Sequence, residues 1–164
     1  MGVDAKSEPE SVTAMADNSV TDTQIAPRAA VSAAIFHEGR VLLVKRRRPP
    51  ADGLWSLPGG HIEPGEPAVE AVKRELREET AICAKILDIA GIKDVVQQND
   101  RGDVLFHRVI IVFCGLWQAG EPRAGSDASA VAWHGMDQLA ELSLTEGLAE
   151  MIAKAERKLK AAER

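Results

Sequence analysis

The chain has 164 residues, of which 45% are hydrophobic and 27% are charged, and its formal net charge at pH 7 is −5. These values are ordinary for one globular domain with a buried core, and the acidic balance argues against broad binding to nucleic acid or to an anionic membrane. No apolar run approaches the length of a membrane span, and the two cysteines, Cys83 and Cys114, are interpreted as reduced thiols of a cytoplasmic protein rather than as a disulfide.

The first 26 residues are rich in Ser, Thr, Asp, Glu and Ala and show no periodic apolar pattern. A segment of this composition does not bury enough apolar surface to offset the entropy lost on ordering it. The sequence therefore predicts a disordered tail over 1–26, followed by one folded domain over 27–160. The tail has no apolar stretch typical of a secretory signal, and its acidic character is not typical of a transit peptide.

The folded domain begins with segments typical of β-structure. Strands are predicted over 29–36 and 40–46, and a third, short strand over 54–60 ends in two glycines. A Pro-Gly-Glu-Pro segment then favours the start of a helix, because proline at the first helical turn loses no hydrogen bond. This helix is predicted to run from about Pro67 to about Ala81.

Further strands are predicted over 85–92, 94–98, 104–117 and 128–135, and a final helix over about 145–159. Apolar residues recur at helical spacing in that last helix and are expected to pack against the core: Leu148, Met151, Ile152, Ala155 and Leu159. Strands with helices at intervals indicate an α/β (α+β) sandwich.

The central helix carries three glutamates close together, Glu75, Glu78 and Glu79. At about 100° per residue, they share an arc of roughly 100° on one side of the helix. Like charges crowded beside a core are costly unless a cation lies among them, and magnesium prefers oxygen ligands. Arg74, one turn before Glu78, is placed to pair with a carboxylate and to orient it. The alternative is an ordinary solvated acidic face.

The same wheel predicts which side of the helix faces the core. Val69, Val72 and Leu76 form the apolar stripe, and Glu79 is the glutamate nearest to it. Ala68 and Ala71 lie on the glutamate side, where small side chains are expected to leave space above the carboxylates.

The spacing of these residues resembles the Nudix hydrolase box. Gly60 is followed after five residues by Glu66, and after seven more by the run Arg74-Glu75-Leu76-Arg77-Glu78-Glu79-Thr80-Ala81-Ile82. Ala81 stands where the family usually has glycine, and from this difference we expect a shifted helix end rather than a lost ligand. The resemblance extends over about 27–159.

Membership of that family implies a Nudix-type α/β/α sandwich with a mixed sheet between helices. It also implies magnesium-dependent hydrolysis, with manganese as an alternative metal, of a nucleoside diphosphate linked to another group. The resemblance leaves two small-molecule nucleotide substrates open, an ADP-ribose-like compound and a nucleoside triphosphate. It also leaves open whether the protein forms a homodimer. The alternative function is a Nudix-fold nucleotide sensor without catalysis.

The resemblance assigns roles to particular residues. Those expected to bind the metal are Gly60, through its carbonyl, Glu75, Glu78, Glu79 and Asp127. The catalytic residues would be the three glutamates and Arg74, with Glu66 as support for the loop. For Asp127, a local turn bond is the alternative.

Substrate contacts are assigned to Arg46, Trp55, Gly59 and Gly60. Arg46 begins an arginine triplet that could clamp phosphates, although a solvated strand end is the alternative. Trp55 could stack on a base, although packing in the core is the alternative. His61 has no matched partner in the sequence and is interpreted as structural.

Overall fold

The computed structural model of the protein describes residues 25–162. The predicted disordered tail therefore lies almost entirely outside the described residues. The strands in the described part are β1 (Arg28–His37), β2 (Arg40–Arg46), β3 (Trp55–Ser56), β4 (Gly59–His61), β5 (Cys83–Gln98), β6 (Val104–Ala119) and β7 (Ala128–Gly135). The helices are α1 (Ala68–Thr80) and α2 (Leu148–Ala162), with a 3-10 turn at Leu139–Glu141.

These strands form one mixed sheet in the order β3-β2-β1-β6-β5, with β7 paired to β2 and β4 paired to β1. β1 and β6 run parallel, and the other pairs are antiparallel. β1 pairs with β2 only at its end, where Phe36 faces Val41, whereas Ala30 faces His61 of β4 further back. The sheet therefore splits between β2 and β4, and the split opens a cleft beside β1.

A helix covers each face of the sheet, as the sandwich prediction requires. On one face, Ile152 and Ala155 of α2 are fully buried in a cluster with Leu43 and Cys114. On the other face, Leu76 of α1 belongs to a second buried cluster, with Val31, Leu42 and Phe113 among its members. All five apolar residues predicted for the inner side of α2 are buried. Neither of these helices is long and apolar enough to cross a membrane.

One residue of the predicted apolar stripe of α1 is placed differently. Val69 is 40% exposed, whereas Ala71, Val72, Leu76 and Thr80 are buried. The stripe follows the four-residue spacing from Val72 through Leu76 to Thr80, and Val69 lies in the first turn, ahead of it. Ala71 fills core space instead of leaving room above the glutamates, so that part of the prediction is wrong.

The two strands predicted over 85–92 and 94–98 form one continuous strand, β5. Its pairing with β6 shifts register at several places, including Ile86/Asp88 and Ile89/Gly91. Such bulges add a residue to one strand and break the alternation of apolar and polar side chains. The interrupted pattern therefore reflects bulges within a long hairpin rather than the end of a strand.

The end of α1 is not shifted as expected from Ala81. Ala81 itself adopts the left-handed conformation, with φ 59° and ψ 18°, and its N–H donates to the carbonyl of Arg77 at 3.0 Å. A left-handed alanine costs roughly 1–2 kcal/mol. The loop before β7 caps the helix: Gly125 N–H donates to the Glu79 carbonyl and Arg123 N–H to the Thr80 carbonyl, each at 2.9 Å. These bonds satisfy carbonyls that a helix end leaves open.

Candidate active site

A cavity of about 270 Å³ lies where the sheet splits. Carboxylates and basic groups line it together: Glu75, Glu79, Asp127, Arg46, Arg48, His61 and Arg108, with the backbone of Gly59 and Gly60. A depression of about 300 Å³ beside α2 is lined by Lys154, Arg157 and Lys158 and by two alanines. It contains no carboxylate, so the chemistry predicted from the sequence belongs to the first cavity.

Arg74 connects the acidic residues of α1 to the loop before it. Its Nε and Nη2 donate to the two carboxylate oxygens of Glu66, at 2.8 and 3.0 Å. Nη1 donates to Glu75 Oε1 at 2.8 Å and to Glu78 Oε2 at 3.2 Å. Nη2 also donates to the carbonyl of His61 at 3.0 Å. One guanidinium thus orients three carboxylates and the end of β4. The bond to Glu78 agrees with the sequence prediction that Arg74 pairs with a carboxylate and orients it.

This arrangement shifts the pKa of both partners in the main ion pair. The hydrogen bond from Arg74, and then the backbone N–H of Glu63, lower the pKa of Glu66 to about 2. The bonds to Glu66 and Glu75 raise the pKa of Arg74 above its already high value. Glu66 is therefore ionised at every physiological pH, which suits a residue that holds the loop rather than one that transfers protons.

Glu79 is in a different environment from its neighbours. Its Oε2 accepts a hydrogen bond from Gly59 N–H at 2.9 Å, and its carboxylate is directed into the cavity. Burial raises its pKa to about 7, and the charges of Glu75 and Asp127 add to the rise against the effects of Gly59 and Arg46. A carboxylate with a near-neutral pKa can accept a proton at physiological pH.

The two adjacent glycines allow β4 to approach α1 and β1 closely. A Cβ at Gly60 would lie 2.4 Å from the carboxylate carbon of Glu75, and a Cβ at Gly59 would lie 2.1 Å from the Val31 carbonyl oxygen. Any larger residue at Gly60 would displace the Glu75 carboxylate. Gly59 packs against β1, and a side chain at this position would collide with the backbone of β1.

Asp127 joins the cavity from the loop before β7. Its Oδ1 lies 3.0 Å from Arg48 Nη2, and both side chains are largely exposed. Its backbone carbonyl accepts a bond from Arg47 N–H at 3.3 Å. The structure thus brings Asp127 beside Glu75 and Glu79, although about fifty residues of sequence separate them.

Trp55 is not among the residues that line the cavity. It packs against the cluster on the α2 side of the sheet, and its ring meets that of His134 edge-on, with 4.6 Å between centroids. Of the two roles considered for Trp55, this placement fits packing in the core and not stacking on a substrate base.

Sequence reasoning missed two residues of the site, His61 and Arg108. Their side chains meet across β1, with 3.0 Å between His61 Nε2 and Arg108 Nη2. Arg108 lies opposite Arg28 in the pairing of β1 with β6. The only signal in the sequence is a charged residue inside an otherwise apolar strand.

The NUDIX domain family model matches residues 26–155. The chain belongs to the Nudix hydrolase family. This assignment confirms the resemblance carried by Gly60, Glu66 and the acidic run of α1. It also confirms the expected class of enzyme, hydrolases that act on pyrophosphate bonds.

Relatives of this Nudix chain include the ADP-ribose pyrophosphatase of Methanocaldococcus jannaschii, 35% identical over 117 residues, which are 71% of this chain and 67% of that protein. The MutT NUDIX hydrolase from Burkholderia pseudomallei superposes with a TM-score of 0.69 at 33% identity, over 79% of this chain and 98% of that one. The NUDIX domain of Shewanella oneidensis NrtR, solved with ADP ribose, gives 0.70 at 26% identity, over 87% and 94%. The chain spans between 54% and 67% of the length of three curated relatives that it matches.

Nudix hydrolases generally use divalent metal ions. Within residues 25–162, no three His, Cys, Asp or Glu side chains converge closely enough to hold a metal ion as they stand. The physical reason lies in the geometry above, because Arg74 binds Glu75 and Glu78 while Glu79 bonds to Gly59. The donor set nevertheless fits a hard cation: Glu75, Glu79 and Asp127 offer carboxylate oxygens to one cavity, as Mg²⁺ prefers.

Proposed function

We propose that the protein is a magnesium-dependent hydrolase that cleaves the diphosphate linkage of a nucleoside diphosphate joined to a second group. One observation carries the proposal: the carboxylates of Glu75, Glu79 and Asp127 share a cavity with arginine side chains. A metal–diphosphate complex presents a cation and negatively charged phosphate oxygens. The carboxylates are complementary to the cation, and the guanidiniums are complementary to the phosphate oxygens.

In this proposal, Glu75, Glu78, Glu79 and Asp127, with the Gly60 carbonyl, are the residues that would hold the metal. When bound, the metal neutralises charge on the phosphate oxygens and acidifies a water molecule. Arg74 positions Glu75 and Glu78 through the bonds described above, and Glu66 fixes Arg74 in turn.

Glu79 is our candidate for the group that accepts the proton of the attacking water, at Oε1. The other oxygen, Oε2, is already held by Gly59 N–H, so the carboxylate keeps one direction. Burial raises the pKa of Glu79 to about 7 without metal, and a cation bound beside it would lower that pKa again, which leaves the carboxylate ionised and able to accept a proton.

For the substrate, an ADP-ribose-like compound is our first candidate, and a nucleoside triphosphate is the second. The first is supported by the relative named ADP-ribose pyrophosphatase and by the likeness to a domain solved with ADP ribose. The second is supported by a shorter, 53% identical match to a protein named putative 8-oxo-dGTP diphosphatase.

A substrate screen tests this function. ADP-ribose and the nucleoside triphosphates are incubated with the protein and Mg²⁺, and the products are separated by ion-exchange chromatography. AMP with a sugar phosphate indicates the first class, and a nucleoside monophosphate with pyrophosphate indicates the second. Binding of a nucleotide without any turnover across the screen would instead support the non-catalytic sensor.

We expect Mg²⁺ rather than Mn²⁺ to be the principal metal, and a cytoplasmic location. A homodimer is proposed through the edge strand β5, where Ile89 and Ile92 are exposed, at 44% and 65%. Sedimentation velocity at several protein concentrations measures the oligomeric state.

A further inference from the structure

The loop between β6 and β7 lies against the last turn of α1 and runs in the opposite direction. Arg123 N–H donates to the Thr80 carbonyl at 2.9 Å. Two residues further along the loop, Gly125 N–H donates to the carbonyl one residue earlier in the helix, that of Glu79, also at 2.9 Å. These backbone bonds cap α1, and they also fix which residue of the loop lies beside which residue of the helix.

Gly125 allows the backbone of this loop to approach α1 closely. A Cβ at Gly125 would lie 2.5 Å from the Glu78 carbonyl oxygen and 3.1 Å from Glu79 Cα. Both are backbone atoms of a helix, which cannot turn aside as the end of a side chain can. The φ of Gly125 is not positive, so glycine is required here for close approach and not for a left-handed conformation.

The other end of the loop is held at Gly120. Its carbonyl accepts a hydrogen bond from Trp117 Nε1 at 3.0 Å, and its φ of 95° suits glycine. A Cβ at Gly120 would lie 2.3 Å from the Ala81 carbonyl oxygen. The loop is therefore fixed both where it leaves β6 and where it reaches the last turn of α1, so it has little freedom to slide along the helix.

Asp127 belongs to a turn that starts at Gly125. Ala128 N–H donates to the Gly125 carbonyl at 3.3 Å, which closes a four-residue turn with Ser126 and Asp127 at its centre. The position of Asp127 therefore follows from that of Gly125. Because Gly125 is bonded to the Glu79 backbone, one hydrogen bond and one turn connect two carboxylates of the same cavity, those of Glu79 and Asp127.

We propose that Gly125 is a positioning residue, which sets the distance between the Glu79 and Asp127 carboxylates so that both can bind one divalent cation. Metal ligands have to be held within about 0.5 Å of their productive geometry. The cation rests on the proposed function, whereas the register of the loop on α1 does not. The alternative role of Gly125 is only to cap the helix, which would affect stability without affecting cation binding.

Mn²⁺ binding in the absence of substrate tests this role. The full chain is titrated with Mn²⁺, and the free ion is measured by electron paramagnetic resonance, for the wild type, Gly125→Ala and Asp127→Asn. We expect each variant to bind Mn²⁺ at least about 10-fold more weakly, the lower end of the range for losing the support of a metal ligand. Wild-type affinity in either variant would overturn the proposal.

Gly91→Ala is the matched control. Gly91 lies on β5, outside the cavity, and its φ is likewise not positive. An added Cβ there would meet only the flexible Met151 side chain, at 3.2 Å from Sδ. We expect this variant to bind Mn²⁺ like the wild type. A loss as large as in Gly125→Ala would mean that the effect is not specific to the loop.

A double-mutant cycle distinguishes positioning from capping. If Gly125 acts through Asp127, then Gly125→Ala adds nothing once Asp127 is gone. The doubly substituted protein should therefore bind Mn²⁺ within about twofold of Asp127→Asn alone. Losses of affinity that multiply would show that Gly125 acts independently of Asp127, and would overturn the proposal.

Insertion of one glycine after Ser126 keeps the proposal testable if thermal melts show that Gly125→Ala is unfolded. The insertion leaves the bond from Gly125 to Glu79 in place and lengthens only an exposed turn, where an added residue is tolerated. We expect a melting temperature near that of the wild type and an affinity for Mn²⁺ as low as that of Asp127→Asn. Wild-type affinity after the insertion would show that the turn does not set the position of Asp127.

The substrate screen separates this inference from the proposed function. If the wild type hydrolyses no nucleotide while its Mn²⁺ binding depends jointly on Gly125 and Asp127, the positioning role stands and the hydrolase proposal fails. If the wild type hydrolyses its substrate and a folded Gly125→Ala binds Mn²⁺ normally, the positioning role alone fails. Absence of Mn²⁺ binding by the wild type would overturn the positioning role whatever the screen shows.

Discussion

Arg74 and Glu66 form a two-point ion pair, with Nε 2.8 Å from Oε1 and Nη2 3.0 Å from Oε2. The pair is only partly exposed, at 21% and 16% of the two side chains. Parallel bonds of this kind fix direction as well as distance. Arg74 uses its remaining donor, Nη1, on Glu75 and Glu78, so the ion pair sets the geometry of the acidic residues.

We expect Arg74→Lys to reduce turnover by at least about tenfold, although it keeps the charge. A lysine ammonium cannot form the parallel bonds to Glu66 and also reach Glu75 in a fixed direction. Steady-state kinetics with saturating Mg²⁺ measures the loss. Arg77→Lys, an exposed position on the same helix, serves as the control, and equal rates in the two variants would remove Arg74 from the positioning role.

Glu79→Gln and Glu78→Gln should separate catalysis from folding. The shape is nearly kept, and a negative charge leaves a crowded site, so stability without metal should hold or rise. Turnover should fall by at least about 100-fold, because an anionic ligand or a base is lost. Initial rates and thermal melts are measured on both variants.

Glu70→Gln is the control for this pair. Glu70 lies on the exposed side of α1, where it forms only a surface ion pair with Lys73, so we expect a change of at most a few tenths of a kcal/mol. A loss of activity in Glu70→Gln as large as in the other two would contradict the assignment of the catalytic side of the helix.

The sequence was sufficient for the helical part of the acidic site because the residues of that part are local. Glu75, Glu78, Glu79 and Arg74 lie within two turns of one helix, and the helical period alone places them together. The prediction that Glu79 lies nearest to the core agrees with the burial that raises its pKa. The helical repeat alone was therefore sufficient to predict that these side chains lie together.

The basic side of the cavity could not be predicted in the same way, because it depends on strand register. Arg108 reaches His61 only because β1 lies between β6 and β4, with Ala30 opposite Ile110 on one side and opposite His61 on the other. No local pattern specifies which strands become neighbours. The bulges of β5 and the exposed Val69 were missed for the same reason, since both depend on how elements pack.

The free energy of unfolding should depend on pH through Glu79 when no metal is present. Its pKa rises from an ordinary 4.5 to about 7 on folding, so between these values the folded state holds a proton that the unfolded state has lost. Stability from this group is therefore complete below pH 4.5, falls as pH rises towards 7, and changes no further above it. The total change is on the order of 3 kcal/mol.

Glu79→Gln isolates that contribution. Urea denaturation in EDTA at pH 5 and at pH 8 gives the free energy of unfolding for both proteins. The wild type should lose more stability between the two pH values than the variant, while Glu66, whose pKa is lowered to about 2, acts only below this window. Parallel pH curves for the two proteins would show that the Glu79 carboxylate is solvated.

Magnesium should raise the melting temperature before any substrate is added. Cation binding relieves the repulsion among Glu75, Glu79 and Asp127, and a ligand that binds only the folded state stabilises it. Differential scanning fluorimetry compares MgCl₂ with NaCl at matched ionic strength. The additional shift from magnesium should disappear in Glu75→Gln, and equal shifts from both salts in the wild type would indicate simple screening.

Replacing each of the adjacent glycines by alanine should give opposite results. In Gly59→Ala the new Cβ would meet backbone atoms of β1, 2.1 Å from the Val31 carbonyl oxygen and 2.6 Å from Ser32 Cα. Neither atom can move without distorting the strand, so we expect a loss of stability of about 3 kcal/mol or more. Gly59→Ala would also disturb the bond from Gly59 N–H to Glu79.

In Gly60→Ala the new Cβ would meet only the end of the flexible Glu75 side chain, with its carboxylate carbon and Oε1 each at 2.4 Å. The carboxylate can turn away at little cost to the fold, but it then leaves Arg74 and the cavity. We therefore expect a melting temperature close to that of the wild type and a turnover at least about tenfold lower, since a misplaced catalytic group is costly. Thermal melts and initial rates on both variants check the pair. Normal turnover in a well-folded Gly60→Ala would mean that catalysis does not depend on where Glu75 lies.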